Sequence, residues 1–276
     1  MKHTPINRVR LLDYGYIGLV ESWGSDEGII EAARMSSNKG FLGWDPSPDN
    51  PKGDMHLLRY LQENKHETPF EMAGLQFEVQ LPLYVRSEWH RHRTQSYNEM
   101  SARYVPLPDF NYLPTMERVF LNGKTKNKQA GAAEGALELT EEFYHEGAQR
   151  QLAAFNLAEE SYQWCLKHGW PKELARGPVP VARYTRMRAQ ANLRNWLGFM
   201  TLRTHPAAQW EIRQYAIEVG KAIATTFPRT WELFAVTMEP RRTEARRVKF
   251  TEILERFHGM NDFPFGSLVD ELLKVK

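Results

Sequence analysis

The chain has 276 residues, a formal net charge of +2, 42% apolar residues and 25% charged ones; these are ordinary globular values, too weakly basic to argue for a nucleic acid or a membrane surface as partner. Cys165 is the only cysteine, which excludes an internal disulfide framework and a zinc site built from several thiolates. The N-terminal stretch lacks the apolar core of a secretory signal, and no window approaches about eighteen consecutive apolar residues, so a soluble cytoplasmic protein is expected.

Residues 9–13 read as a first strand, with Gly15 and Gly18 turning the chain after it. Residues 28–35, carrying Ile29, Ile30, Ala32, Ala33 and Met35, suit a short helix. The 40–53 stretch holds three prolines and three glycines and reads as a loop, in which Trp44 either pins the segment to the body of the protein or lines a ligand site. Leu57, Leu58 and Leu61 place a helix over 55–64. After the polar segment 66–71, Phe77, Val79, Leu81, Leu83 and Val85 alternate strictly, the best strand in the chain; Pro82 marks an edge, a bulge or the strand end. Residues 105–133 read as a peripheral excursion with solvated Lys124, Lys126 and Lys128. The longest helix candidate is 134–168, broken near Gly147, with Leu139, Phe143, Ala154, Phe155, Ala158, Tyr162, Cys165 and Leu166 as a buried stripe and Gly169 and Pro171 ending it. A second helix is expected from just after Pro180 to about Leu202. A third, with Pro206 in its first turn, runs through Ala224 on a core face of Ala208, Ile212, Tyr215, Ala216, Val219 and Ile223. For the mixed-charge stretch 241–249, oligomer contact, phosphate contact and bare surface are all open.

Between strand and excursion lies the stretch 86–104, which packs four arginines and two histidines into nineteen residues. Were it helical, His92, Ser96, Glu99 and Arg103 would share one face. Trp89, Tyr97, Met100 and Tyr104 are interleaved with the charges, and the stretch follows directly on a strand. That combination favours a pocket wall for a multiply charged anion over a solvated surface. There is no Walker loop, dinucleotide-binding glycine fingerprint or zinc-protease motif, so side chains, mainly arginines, must hold the anion. A metal site from His66, His90 and His92 is disfavoured, because Arg91 and Arg93 would repel a cation.

The stretch also reads Arg-His-Arg, two variable residues, Ser, one variable, Asn-Glu, one variable, Ser, one variable, Arg. Eight specified positions in thirteen, Arg91, His92, Arg93, Ser96, Asn98, Glu99, Ser101 and Arg103, resemble the signature of the flavin-dependent thymidylate synthases. Segments 66–71 and 171–176, followed by Asn192, Arg194, Arg203 and 208–213, resemble further parts of that family. The likeness spans about 5–235 of a single catalytic domain, 1–276, with the 105–133 excursion and a C-terminal extension after 235 largely outside it.

The resemblance implies an α+β fold, a mainly antiparallel central sheet with several long helices. It implies non-covalently bound FAD, NADPH as reductant and 5,10-methylenetetrahydrofolate as carbon donor, converting dUMP to dTMP with release of tetrahydrofolate. It also implies a homotetramer with active sites shared between subunits. By resemblance, Glu88, Glu99, Ser101, Arg103 and Arg176 bind the nucleotide. Arg203 orients the pyrimidine and stabilises negative charge on its carbonyl oxygen, and Ser101 binds and orients rather than attacks. His66, Thr68, Arg91, His92, Arg93, Glu99, Asn192 and Arg194 line the flavin. Cys165, on a core-like helical face, offers no nucleophile of the kind other thymidylate synthases need. Three positions depart from the family pattern. Gln is common where this chain has Glu88, and Asn and His flavin contacts are common at Gly198 and Ala207, with His205 close enough to compensate. A flavin-dependent methyltransferase for another pyrimidine nucleotide and a non-catalytic nucleotide-binding protein are the alternatives.

Overall fold

The computed structural model describes residues 6–122 and 130–237. In chain order they form β1 (Val9–Leu11), β2 (Gly15–Trp23), α1 (Asp26–Arg34), α2 (Gly53–Glu63), β3 (Gly74–Pro82), α3 (Leu83–Trp89), β4 (Ser96–Glu99), α4 (Met116–Asn122), α5 (Glu141–Lys167), α6 (Lys172–Ala175), β5 (Tyr184–Asn192), α7 (Leu193–Arg203), α8 (Trp210–Thr226) and α9 (Pro228–Thr237). Among the described residues the strands make one sheet in the order β1-β2-β3-β5-β4, antiparallel throughout. This is the α+β architecture expected. Lys124, Lys126, Lys128, the 241–249 stretch and nearly all of the extension after 235 lie outside the described residues.

The alternating Leu75, Phe77, Val79 and Leu81 form β3 and are fully buried, because β3 sits at the centre of the sheet with helices packed over that face. Pro82 is the strand end, not an edge. Its backbone, at φ −62° and ψ 148°, precedes the first turn of α3, so Leu83 and Val85 continue the alternation in sequence while belonging to a helix. Gly15 and Gly18 do not turn the chain; both lie inside β2. A Cβ at Gly15 would stand 2.3 Å from the Tyr215 hydroxyl, and one at Gly18 would stand 2.4 Å from Ile6. Close approach by neighbours is what requires glycine there.

The helix expected from Pro180 to Leu202 is instead β5 followed by α7. Thr185, Met187, Ala189 and Ala191 are buried and Arg186, Arg188 and Gln190 exposed, a period of two diluted by small alanines and outward arginines. The strand stops where the Asn192 side chain accepts from the Asn195 N–H and caps α7. From there the expected face of Leu193, Trp196 and Met200 is buried as a helical stripe. Two strand-to-helix units thus run antiparallel. Their ladder extends past both ends, with Leu83 N–H bonding Arg183 O at 2.9 Å and Leu193 N–H bonding Ala73 O at 2.7 Å.

Helix α5 is unbroken at Gly147 and starts at the Thr140 cap. Only Tyr162 and Cys165 of its expected stripe are buried, whereas Phe143 and Ala154 are exposed. Helix α8 begins at Trp210, and Pro206 lies in the turn before it; Ile212, Tyr215, Ala216, Val219 and Ile223 are buried as expected. Trp44 is a pin: its Nε1–H donates to Glu27 at 3.2 Å and its ring meets Phe41 edge-on.

The excursion is fastened by Arg183, whose side chain is fully buried. It donates to Glu159 of α5 at 2.6 Å, to Asn111 at 3.1 Å and to the Pro108 carbonyl at 3.1 Å. Replacing it leaves the Glu159 carboxylate half-enclosed without its cation, and removing one partner of a buried pair costs about 3–5 kcal/mol. Arg183→Met is therefore expected to lower the urea midpoint markedly, whereas Arg150→Met, which breaks an exposed pair with Glu146, is expected to leave it nearly unchanged.

Candidate active site

The motif stretch is not one helix. After α3 the chain turns through 90–95, forms β4 against β5, and leaves the sheet where Met100 N–H bonds Arg186 O. Consequently His92, Ser96, Glu99 and Arg103 do not share a helical face. The turn is shaped by a buried anchor. Trp89 is fully buried and its indole N–H donates to Gln95 at 2.9 Å; the Tyr97 hydroxyl donates to the carbonyls of Trp89 and His92 at 3.2 and 2.7 Å. These bonds hold His92 over Phe199 of α7, ring centroids 4.7 Å apart.

At the end of α7, Arg203 meets this turn with three nitrogens. Nε donates to His92 Nε2 at 2.8 Å, Nη1 to the Glu88 carboxylate at 2.9 Å, and Nη2 to the Glu88 main-chain carbonyl at 2.7 Å. The Arg203 side chain is 14% exposed and Glu88 40%. Burial first, and then the Arg203 charge, push the His92 imidazole down to about 4, against the pull of Glu88. The ring is therefore neutral at neutral pH, with Nε2 accepting and the proton on Nδ1. The Glu88 carboxylate, a departure noted from sequence, is paired with an arginine.

A second group forms at the other end of α7, nine residues or roughly 13 Å away along the helix. Arg194 donates to Glu67 and Glu71, both at 2.6 Å, tying α7 to the segment after α2. His66 and Thr68 of that segment line an open depression of about 590 Å³ with Ala32, Met35, Lys65 and Met72. Asn192 spends its side-chain oxygen on the α7 cap. The carboxylates of Glu67 and Glu71 were not singled out from sequence; an arginine nine residues before Arg203 gives no signal of its partners. Arg91 and Arg93 are exposed, with no side-chain partner among the described residues.

The third group lies beyond β4. Ser101 Oγ accepts from the Arg103 N–H at 3.3 Å, Arg103 pairs with Glu173 at 3.1 Å, and Arg176 Nε donates to the Glu173 carbonyl at 3.3 Å. Lys172 donates to the Tyr104 carbonyl at 2.8 Å, docking α6 on the same loop. The chain leaves β5 at Arg186, six strand residues or roughly 20 Å from Asn192, so this group and the Asn192–Arg194 group are separate within one chain. Glu99 faces neither: it accepts from Thr185 at 2.8 Å and pairs with Arg86 at 3.5 Å. Ser101 has no base bonded to its hydroxyl among the described residues. Gly198 is exposed on α7 with open space where a Cβ would stand, and the His205 ring turns back to accept from the Ala207 N–H at 3.1 Å.

Unpartnered guanidinium groups such as those of Arg91 and Arg93 are donors of the kind a diphosphate takes; neither arginine lines the depression beside His66 and Thr68. Cys165 is buried with Tyr162 and with Ala175 of α6, the helix that carries Glu173 of the third group.

Residues 18–229 match the family model described as thymidylate synthase complementing protein. A flavin-dependent thymidylate synthase of Thermosipho melanesiensis is 36% identical over 228 residues, covering 82% of this chain and 92% of the relative. One from Thermus thermophilus is 36% identical over 226 residues, covering 82% and 77%. One from Rickettsia prowazekii is 30% identical over 288 residues, covering 95% and 92%. Among solved structures, the UMP/dUMP methylase PolB of Streptomyces cacaoi bound with 5-Br dUMP superposes with a TM-score of 0.68 at 30% identity, covering 82% of this chain and 97% of that one. Its form bound with 5-Br UMP gives 0.67 at 28% identity, covering 83% and 96%.

The neutral state of His92 is testable directly. Histidine-selective NMR is expected to show its imidazole unprotonated, with the Nδ1–H tautomer, until the pH falls to about 4. Arg203→Gln is expected to raise that midpoint by removing the second of its two depressing causes. The sign for stability follows: the unfolded chain takes up this proton near the ordinary value of 6.5, so His92 contributes stability above that pH that is lost as the pH falls toward 4.

Proposed function

This chain belongs to the thymidylate synthase complementing protein family, the flavin-dependent thymidylate synthases, and from that premise we propose how its own residues divide the work. It is an FAD-dependent methyltransferase that converts dUMP to dTMP by flavin and folate chemistry. When bound, the flavin supplies the hydride that takes the transferred carbon from methylene to methyl. We propose NADPH as the reductant and 5,10-methylenetetrahydrofolate as the carbon donor.

The observation that supports this reading within the chain is Arg203 with its guanidinium plane fixed by Glu88 and a neutral His92. A guanidinium so held keeps an N–H on each terminal nitrogen to meet a pyrimidine carbonyl oxygen as negative charge develops there, with no reorganisation needed at that moment. We propose Arg103, Ser101 and Arg176 as the nucleotide-phosphate group, and Arg91, Arg93, His66, Thr68 and Arg194 as the flavin group. Glu99 and Asn192 support these indirectly, one by bracing β4 on β5 and the other by capping α7.

The phosphate and flavin groups stand apart within one chain, and exposed apolar side chains line α5: Phe143, Leu152, Leu157 and Trp164. Both features support a homotetramer in which one subunit's phosphate group completes another's flavin group. Among the described residues no helix is long and apolar enough to cross a membrane. The likeness to a methylase described as acting on both UMP and dUMP favours a second reading, in which UMP is methylated as well.

The test is product analysis with FAD-loaded protein under anaerobic conditions. NADPH is expected to bleach the visible flavin bands, and addition of methylenetetrahydrofolate with dUMP to yield dTMP; UMP in parallel decides the second reading. Flavin that never binds would leave the non-catalytic nucleotide-binding alternative. Cys165→Ser is expected to retain activity, and Arg203→Gln to lower kcat by about a hundredfold, the usual consequence of removing one donor to a developing oxyanion.

A further inference from the structure

The proline- and glycine-rich stretch 40–53 is folded around one carboxylate. Asp54, fully buried at the start of α2, accepts from the Leu42 N–H at 2.7 Å and from the Asn50 side chain at 2.9 Å, and pairs with Arg34 of α1. The loop also occupies the first N–H groups of α2: those of Gly53, Asp54 and Met55 bond the carbonyls of Asn50, Gly43 and Trp44. Against this loop lies an open depression of about 540 Å³, lined by Arg34, Asn50, Lys52, His56, Leu57 and Tyr60 among others. It is of the size that small-molecule sites take. No carboxylate lines it, since Asp54 is covered and occupied by its three partners. The Arg34 Nε–H is out of water and bonds nothing among the described residues, a donor that is costly to leave unmet.

This depression adjoins the one beside His66 and Thr68. Both are bounded by Ala33 of α1, and Tyr60, which lines the first, meets the His66 ring of the second edge-on at 5.5 Å. Together they follow α2 from Gly53 to Leu61, eight residues or roughly 12 Å. The result is a trough with an exposed tyrosine ring at its middle and Arg34, Lys52 and His56 at one end. An aromatic face takes a nucleobase, and cations beyond it take a phosphate; an arginine near the adenosine ribose is a known way of accommodating a 2′-phosphate. We propose that the depression at Arg34, Lys52 and His56 holds the 2′-phosphate of NADPH, with the adenine against Tyr60 and the rest of the dinucleotide running toward His66. The proposal rests on the reading that NADPH reduces a flavin lined by His66 and Thr68. It makes Lys52 and His56 specificity residues for the phosphorylated dinucleotide.

Dissociation constants of NADP+ and NAD+ would be measured by calorimetry on the FAD-loaded oxidised enzyme, beside the rates at which NADPH and NADH bleach the flavin anaerobically. The two pairs read the phosphate separately from the rest of the dinucleotide. Lys52→Ala is expected to weaken NADP+ about tenfold, the lower end of the scale for a hydrogen bond to a charged group, with NAD+ unchanged, and to raise KM for NADPH with kcat kept. His56→Ala is expected to act in the same direction. Tyr60→Leu is expected to weaken both dinucleotides alike by about fivefold, since the base is common to them. Arg59→Ala, which removes an exposed cation of α2 that does not line the depression, is expected to change neither. An NADP+ to NAD+ ratio unchanged in both Lys52→Ala and His56→Ala, or no preference for NADP+ in the wild type, would overturn the proposal while leaving the flavin site in place. A rise confined to the KM for methylenetetrahydrofolate would overturn it too, giving these cations to the folate's carboxylates. Flavin that neither NADPH nor NADH bleaches would instead overturn the reading of the reductant, and this proposal with it.

Discussion

The buried indole of Trp89 is the interaction on which the site depends. Its ring packs on Phe199 with centroids 4.9 Å apart and meets Trp196 and Tyr215 edge-on at 6.3 and 6.2 Å, so one side chain joins the end of α3 to both α7 and α8. A tryptophan buries about 150–250 Å² of surface, among the largest single contributions to a core. Its N–H is satisfied by Gln95 and its carbonyl by Tyr97, which leaves the neighbouring Glu88 and His92 little freedom. Arg203 then finds both partners in place. The apolar core positions the polar corner; the ion pair is a consequence of that packing rather than its cause.

The arginines divide into two physical kinds. Arg183, Arg203 and Arg118 are largely covered and each is matched to a carboxylate, Glu159, Glu88 and Glu211 respectively, because an uncompensated charge out of water is expensive. Arg91, Arg93, Arg103 and Arg176 are exposed, where a guanidinium costs little to keep available for phosphate. Composition does not distinguish these kinds. Within 86–104, Arg86 braces Glu99 while its neighbours in the motif face outward, a division decided by the turn at 90–95 and the pairing of β4 with β5.

Such a distribution also explains why local patterns misled. Leu83 and Val85 extend a perfect alternation past Pro82, yet they enter a helix, since the ladder partner at that point is the carbonyl of Arg183 and the chain must turn to cover the sheet. In 184–192 the inward residues include two alanines and the outward ones two arginines. Helix-forming residue types thus carried a strand, because β3 offered an open edge whose register pairs Gly74 with Asn192 and Pro82 with Tyr184. Helix α5 was legible at its C-terminal end but not in its start or its burial: Phe143 and Ala154 read as core and are exposed in the single chain.

By itself the sequence determined what short-range chemistry can write: the helix end at Gly169 and Pro171, the stripes of α7 and α8, the alternation of Phe77, Val79 and Leu81 in the central strand, and a motif whose eight positions suffice to state a family. Tertiary structure alone decided which of those residues meet. Arg203 and Glu88 are 115 positions apart, and nothing in the spacing between them records the contact. It exists because two strands pair antiparallel and their following helices bury Trp89 and Trp196 against one another. Partner choice, and with it the charge of each group, is set by packing over long sequence distances, which local periodicity does not encode.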